Sequence, residues 1–129
     1  MLRGDQCVIN GDGQTSRDFC FIANVAQINL RAALSENPDP TGQVYNVAVG
    51  DRTTLSELHA AIAESLARKC PGLRIEAPRY VDFRPGDVRH SLADIGKAAR
   101  LLGYAPTHRI RAGLDEAMGW YVKQFTSAR

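Results

Sequence analysis

Apolar positions recur along this chain with two different periods. From Ile22 onward, Ile22, Val25, Ala26, Leu30, Ala33 and Leu34 fall at helical spacing, which predicts a first helix over Ala23–Ser35. "ENPDPTG" stops it, because two prolines and a glycine cannot continue a helix. The β-branched run "QVYNVAVG" predicts a strand ending at Gly50. Thr54 followed by Glu57 is a capping box, and it opens a second helix with Leu55, Leu58, Ile62 and Leu66 on its apolar face and "CPG" at its end. "LRIEAPRYVDF" reads as extended chain. Asp94 is placed to cap a third helix in which Ile95, Ala98, Leu101 and Leu102 face inward, with Gly103 as its stop. The last helix carries Leu114, Ala117, Met118, Tyr121, Val122 and Phe125, a stripe that reads as core rather than as a cofactor box. Near the start, "QCVIN" and "SRDFCFI" flank "GDGQT", whose Asn10-Gly11 and Asp12-Gly13 turn signals predict a β-hairpin or a similar tight reversal.

The expected class is therefore mixed α/β, a small lobe of about four helices and three or four short strands without repeats. "VYNVAV" is apolar enough to want a partner on both sides, and a strand left at a sheet edge is a liability. The sheet is expected to be incomplete.

Composition narrows this picture only a little. A chain of 129 residues fits one domain with a real core, and 44% apolar with 23% charged residues is ordinary for a soluble globular protein. A net charge of +2 does not point to nucleic acid. Arginine outnumbers lysine 13 to 3, which favours forked recognition of phosphate or carboxylate, although biased codon usage gives the same ratio. Cys7, Cys20 and Cys70 are odd in number and widely spaced, so neither a disulfide framework nor a zinc site follows. His59, His90 and His108 are equally scattered, and no metal is expected. No stretch approaches the ~20 apolar residues of a membrane span. The expectation is a cytoplasmic protein with reduced, mostly buried thiols.

Candidate chemistry begins at Arg84-Pro85-Gly86-Asp87, which has the residues of a type II turn, proline setting φ at its second position and glycine taking positive φ at its third. Arg84 and Asp87 can face one polar ligand, the guanidinium on an anion and the carboxylate on hydroxyls. Spacing alone favours a surface turn whose two charges neutralise each other. Arg17 follows the "GDGQT" turn and Arg52 follows Gly50, so three arginines stand at element ends, where a diphosphate needs fixed cationic forks. "GDGQTS" is neither G-x-G-x-x-G nor the lysine-bearing phosphate loop, and a hairpin turn explains it better. Tyr45, Tyr80, Tyr104 and Tyr121 all lack lysine at the fourth following position, so no Tyr-x-x-x-Lys acid/base pair is present. No catalytic residue is assigned.

"INGDGQTSRDFCFIANVAQINLRAA", "VYNVAVGDRTTLSEL" and the stretch from "YVDFRPGDVRHSLADIGKAARLLGY" to the end resemble the C-terminal part of an extended short-chain dehydrogenase/reductase. The closest likeness is to bacterial UDP-N-acetylglucosamine 4-epimerases, NAD-dependent enzymes of sugar-nucleotide metabolism. The resemblance implies that Arg17 and Arg84 hold a nucleotide diphosphate and that Asp87 accepts bonds from the ribose hydroxyls. It further implies that Arg52 helps at the uridine end and that Ser91 gates the sugar pocket. A small residue at the gate leaves room for an N-acetyl group, which favours a UDP-N-acetylhexosamine over a plain hexose.

In that family NAD and the catalytic Ser/Thr, Tyr and Lys belong to an N-terminal Rossmann domain, for which this sequence has no counterpart. Residues 1–129 are thus expected to form a single substrate-binding lobe that binds no cofactor itself and is inactive alone. A missing Rossmann domain is a potential partner, and the open strand edge allows weak self-association. Two alternatives stand beside this reading: a freestanding UDP-sugar-binding module, and a folded remnant that binds nothing. Half a cleft leaves its ligand wet, which favours the remnant. The intact arginines, Asp87 and Ser91 favour binding.

Overall fold

The computed structural model describes residues 1–36 and 39–126. Its elements run β1 (Val8–Asn10), β2 (Ser16–Arg17), α1 (Ile22–Ala33), β3 (Thr53–Thr54), α2 (Leu55–Lys69), β4 (Arg79–Val81), α3 (Gly96–Leu102) and α4 (Ile110–Thr126). This is the mixed α/β class that the sequence pattern predicts. Part of the expected break after α1 falls on residues 37 and 38, outside the described residues.

The caps account for where the helices start. At α2 the Thr54 side chain accepts the Glu57 N–H while the Glu57 carboxylate accepts the Thr54 N–H, so the box closes in both directions. Asp94 Oδ1 accepts the Gly96 N–H at 2.8 Å, although the cap position of α3 is Ile95, one residue later than expected. Gly103 ends α3 at φ +62°, a left-handed turn that glycine adopts without strain.

On α1 the helix forms, but the apolar stripe faces the wrong way. Its buried residues are Asn24 and Ile28, whereas Ile22, Leu30 and Leu34 are exposed. A polar clamp fixes the covered side. Asn24 Oδ1 accepts the N–H groups of Thr107 and His108 at 2.8 and 3.1 Å, and its Nδ2 donates to the His108 carbonyl at 2.7 Å. Fully satisfied, this buried amide costs nothing in unpaired groups and ties α1 to the chain entering α4.

The expected hairpin does not form. β1 pairs in parallel with β4, Val8 opposite Arg79, and β2 pairs antiparallel with β3. The "GDGQT" turn redirects the chain between two separate ribbons. Gly11 and Gly13 both have positive φ, and a Cβ would strike the Phe83 ring at the first and Ser56 Oγ at the second. Close packing against those side chains, and not a two-strand reversal, is what the glycines serve.

"QVYNVAVG" is likewise not a strand: residues 43–49 join no ladder among the described residues. Side chains hold the segment instead. Tyr45 and Val47 pack against the buried cluster of Ile28, Ala98, Leu102 and Tyr104, and the Tyr104 hydroxyl donates to the Ala48 carbonyl at 2.7 Å. Its apolar character comes from lying on the α1–α3 core.

A second core lies where α2 packs on α4, burying Ala61, Leu66 and Met118. Ser65 Oγ donates to Asp115 Oδ1 at 2.7 Å, and Arg68–Asp115 and Arg111–Glu64 ion pairs lace the same helices. An apolar cavity of about 570 Å³ opens beside them toward residues 1–7, so Tyr121 and Phe125 are exposed at its rim rather than in the core as expected. The three cysteines are free but only half-buried, short of the burial expected.

Candidate functional site

The site residues are organised by β2, a strand of two residues. Along one edge, Ser16 lies opposite Thr54 and Arg17 opposite Thr53. Along the other, the Ser16 N–H donates to the Arg89 carbonyl at 2.9 Å and the Ser91 N–H to the Ser16 carbonyl at 3.2 Å. The Ser16 hydroxyl adds a hydrogen bond to His90 Nδ1 at 2.9 Å. These pairings bring Arg17, the backbone leading out of Arg52 and the backbone of Ser91 together from three distant parts of the chain.

The turn at residues 84–87 has the expected geometry. Gly86 sits at φ +78° and the Asp87 N–H donates to the Arg84 carbonyl at 3.2 Å. Its charges do not neutralise one another across the turn. Asp87 Oδ1 lies 3.3 Å from Arg17 Nη2, and Arg17 Nη1 donates to the Ser16 carbonyl at 2.8 Å. Arg84 and Arg52 are exposed, and neither guanidinium has a hydrogen-bond or ion-pair partner among the described residues. Arg17 is thus anchored by an acid, while the Arg52 and Arg84 guanidinium groups are forks of the kind that take an anion with several oxygens.

Nearby cations are committed elsewhere. Arg89 pairs with Asp12 and lies over the Phe83 ring at 5.3 Å. Hydrogen bonds from Arg89 and from the Gln14 N–H hold the Asp12 carboxyl below the usual carboxylate range. Arg109 Nη1 pairs with Asp51 Oδ2 at 3.0 Å, directly beside Arg52.

The "GDGQT" turn does not fit a dinucleotide's phosphates: Phe83 and Ser56 fill the space beside Gly11 and Gly13, and the turn leads into β2 rather than into a helix N-terminus. Among the described residues no group of three His, Cys, Asp or Glu side chains is disposed to hold a metal ion.

Sequence reading missed Asp18. Its Oδ1 accepts the Val49 N–H at 3.0 Å, and its Oδ2 accepts the N–H groups of Gly50 at 3.0 Å and Ala93 at 3.4 Å. The residue stands inside the quoted "SRDF" block, but nothing in its spacing announces three backbone partners far along the chain. The Ser16–His90 contact was equally silent in the pattern.

This architecture matches known proteins. The NAD dependent epimerase/dehydratase family is matched over residues 1–48, which include Arg17. A UDP-glucose 4-epimerase of Mycolicibacterium smegmatis is 32% identical over 124 residues, covering 94% of this chain and 36% of the relative. Among solved structures, a UDP-N-acetylglucosamine 4-epimerase from Methanobrevibacter ruminantium in complex with UDP-N-acetylmuramic acid superposes with a TM-score of 0.80 at 34% identity, over 95% of this chain and 36% of that one. A UDP-glucuronic acid 4-epimerase from Bacillus cereus in complex with UDP-glucuronic acid and NAD gives a TM-score of 0.79 at 27% identity, over 95% and 37%. Over nearly its whole length the chain is thus similar to UDP-sugar epimerases, and its first 48 residues match the NAD dependent epimerase/dehydratase family. The fold matches the C-terminal portion of UDP-sugar epimerases, and the chain spans about a third of the length of the relatives it matches, 36% for the mycobacterial enzyme.

Proposed function

We propose that this chain is the sugar-nucleotide-gripping lobe of a UDP-sugar 4-epimerase-like enzyme, binding the UDP half of its ligand and performing no chemistry by itself. The observation that carries the reading is the convergence on β2. Strand register gathers Arg17, the Arg52 loop and Ser91, and the ion pair with Arg17 draws in Asp87. In this reading Arg17 and Arg84 hold the diphosphate, Asp87 takes the ribose hydroxyls, and Arg52 serves the uridine end. Ser91, with its small side chain, leaves room for an N-acetyl group. The UDP-N-acetylmuramic acid bound by the methanogen relative supports an N-acetylhexosamine ligand. Residues 1–129 act as one lobe, and the NAD and acid/base residues of the reaction belong to a dinucleotide-binding domain.

Exposure of the grip sets its strength. Solvent screens each arginine–phosphate pair, so the lobe alone binds UDP near millimolar, about −4 kcal/mol. Titration with UDP followed by amide NMR tests this. Shifts clustered at Arg17, Arg52, Arg84 and Asp87 support the grip, and saturating UDP that moves none of them overturns it in favour of a folded remnant. Epimerase turnover above background by the pure chain with NAD would overturn the assignment of chemistry to another domain.

A further inference from the structure

We propose that Asp18 is the positioning residue of the sugar-nucleotide surface, its carboxylate fixing the Arg52 loop and the Ser91 segment relative to Arg17. The inference rests on the UDP-binding reading above and adds a residue that touches no ligand. One oxygen accepts the Val49 N–H at 3.0 Å, and the other accepts Gly50 at 3.0 Å and Ala93 at 3.4 Å. The two consecutive amides lie at the end of the 43–49 segment, which has no ladder of its own to fix it. Gly50 takes φ +70°, and a Cβ there would lie 3.3 Å from Ile95, so the turn is held from the other side as well.

Continuing the β2–β3 register one step past Arg17–Thr53 sets Asp18 across from Arg52. On the opposite edge, Ala93 follows Ser91 by two residues, and Ser91 is bonded to Ser16. The carboxylate therefore ties both flanks of β2 at the point where they leave it. Arg17 and Arg84 do not depend on this tie. Arg17 is held by the strand and by Asp87, and Arg84 by its own turn.

That division predicts a graded loss. In Asp18→Ala, pyrophosphate, which needs only Arg17 and Arg84, binds within about twofold of the parent chain, while UDP weakens about fivefold and a UDP-N-acetylhexosamine about tenfold. Asp18→Asn keeps one acceptor oxygen and recovers part of each loss; it also serves if Asp18→Ala does not fold. Amide exchange is read on the same samples without ligand. Faster exchange confined to Val49, Gly50 and Ala93, with Ser16 and Leu55 unchanged, supports the tie. Equal weakening of all three ligands, or exchange at those amides unchanged in Asp18→Asn, overturns the inference. If the parent chain binds pyrophosphate, UDP and the UDP-sugar not at all, the binding reading falls, and the exchange pattern alone decides whether Asp18 sets the loop geometry.

Discussion

Arg17 Nη2 lies 3.3 Å from Asp87 Oδ1, so the arginine assigned to the diphosphate and the acid assigned to the ribose hold each other. An incoming ligand must offer a phosphate oxygen to one and hydroxyls to the other to leave both satisfied. UDP does so, whereas pyrophosphate meets the carboxylate as a repelling neighbour. Asp87→Asn should therefore change sign with the ligand. It weakens UDP, more than it weakens the deoxyribose analogue, and strengthens pyrophosphate by up to about fivefold, the equivalent of the roughly 1 kcal/mol of an exposed ion pair. Calorimetric titration with the three ligands checks the pattern.

Arg84 and Arg17 differ in what they do without ligand. Arg84→Ala removes an unspent fork and should lower UDP affinity about two- to fivefold while leaving thermal stability unchanged. Arg17→Ala also breaks bonds to the Ser16 carbonyl and Asp87, so it should lower both affinity and melting temperature. Each variant should flatten the salt dependence of binding. Ser91→Tyr should leave UDP affinity unchanged and reduce that of a UDP-N-acetylhexosamine.

Tyr104 is the polar anchor of the α1–α3 core. Burial disfavours its phenolate, and with the neighbouring Cys20 pushes its pKa up to about 12. A folded-state pKa above the unfolded value of about 10 means that its contribution is complete below that value and is lost as pH rises toward 12. Tyr104→Phe leaves the Ala48 carbonyl without its donor and should cost about 1–3 kcal/mol. It should also remove the phenolate absorbance step near 12. Urea unfolding and an alkaline absorbance titration measure the two effects.

At low pH the sign is opposite. Hydrogen bonds from Ser65 and Arg68 hold the Asp115 carboxyl low, and those from the Thr54 backbone and hydroxyl do the same for Glu57. Stability supplied by a depressed carboxyl is present above its ordinary value near 4 and is lost as pH falls through the lowered one. Asp115→Asn should flatten the acid limb of stability below about pH 4. Thr54→Ala should cost about 1 kcal/mol at neutral pH through loss of the cap. Unfolding curves at a series of pH values separate these outcomes.

What the sequence revealed was local. Thr54 with Glu57, Gly103 after a helical stripe and Pro85-Gly86 each carry their signal within a few residues, and each has the expected geometry. Strand pairing carries no such signal. β1 meets β4 and β2 meets β3 across long gaps, so the turn glycines suggested a neighbour that tertiary packing denied. The stripe of α1 misled for a related reason: Asn24, a polar residue, chose the buried side. Turn signals and element ends single out Arg17, Arg52, Arg84 and Asp87, and resemblance adds Ser91; the bonds that bring Asp87 and Ser91 to the two residues of β2 have no such local signal.

The hydroxyl of Ser16 reaches an imidazole 74 residues further along the chain, and the Asp18 carboxylate waits for Ala93. During synthesis the arginine of β2 therefore emerges long before either flank that gives it direction. Residues 49–54 supply the first partners of Asp18 and β2, but until residue 93 has left the ribosome the other edge of Ser16 and the Ala93 bond of Asp18 stay unmade. Such non-local closure is slow relative to helix formation, so α1 and α2 take shape before both edges of β2 are paired.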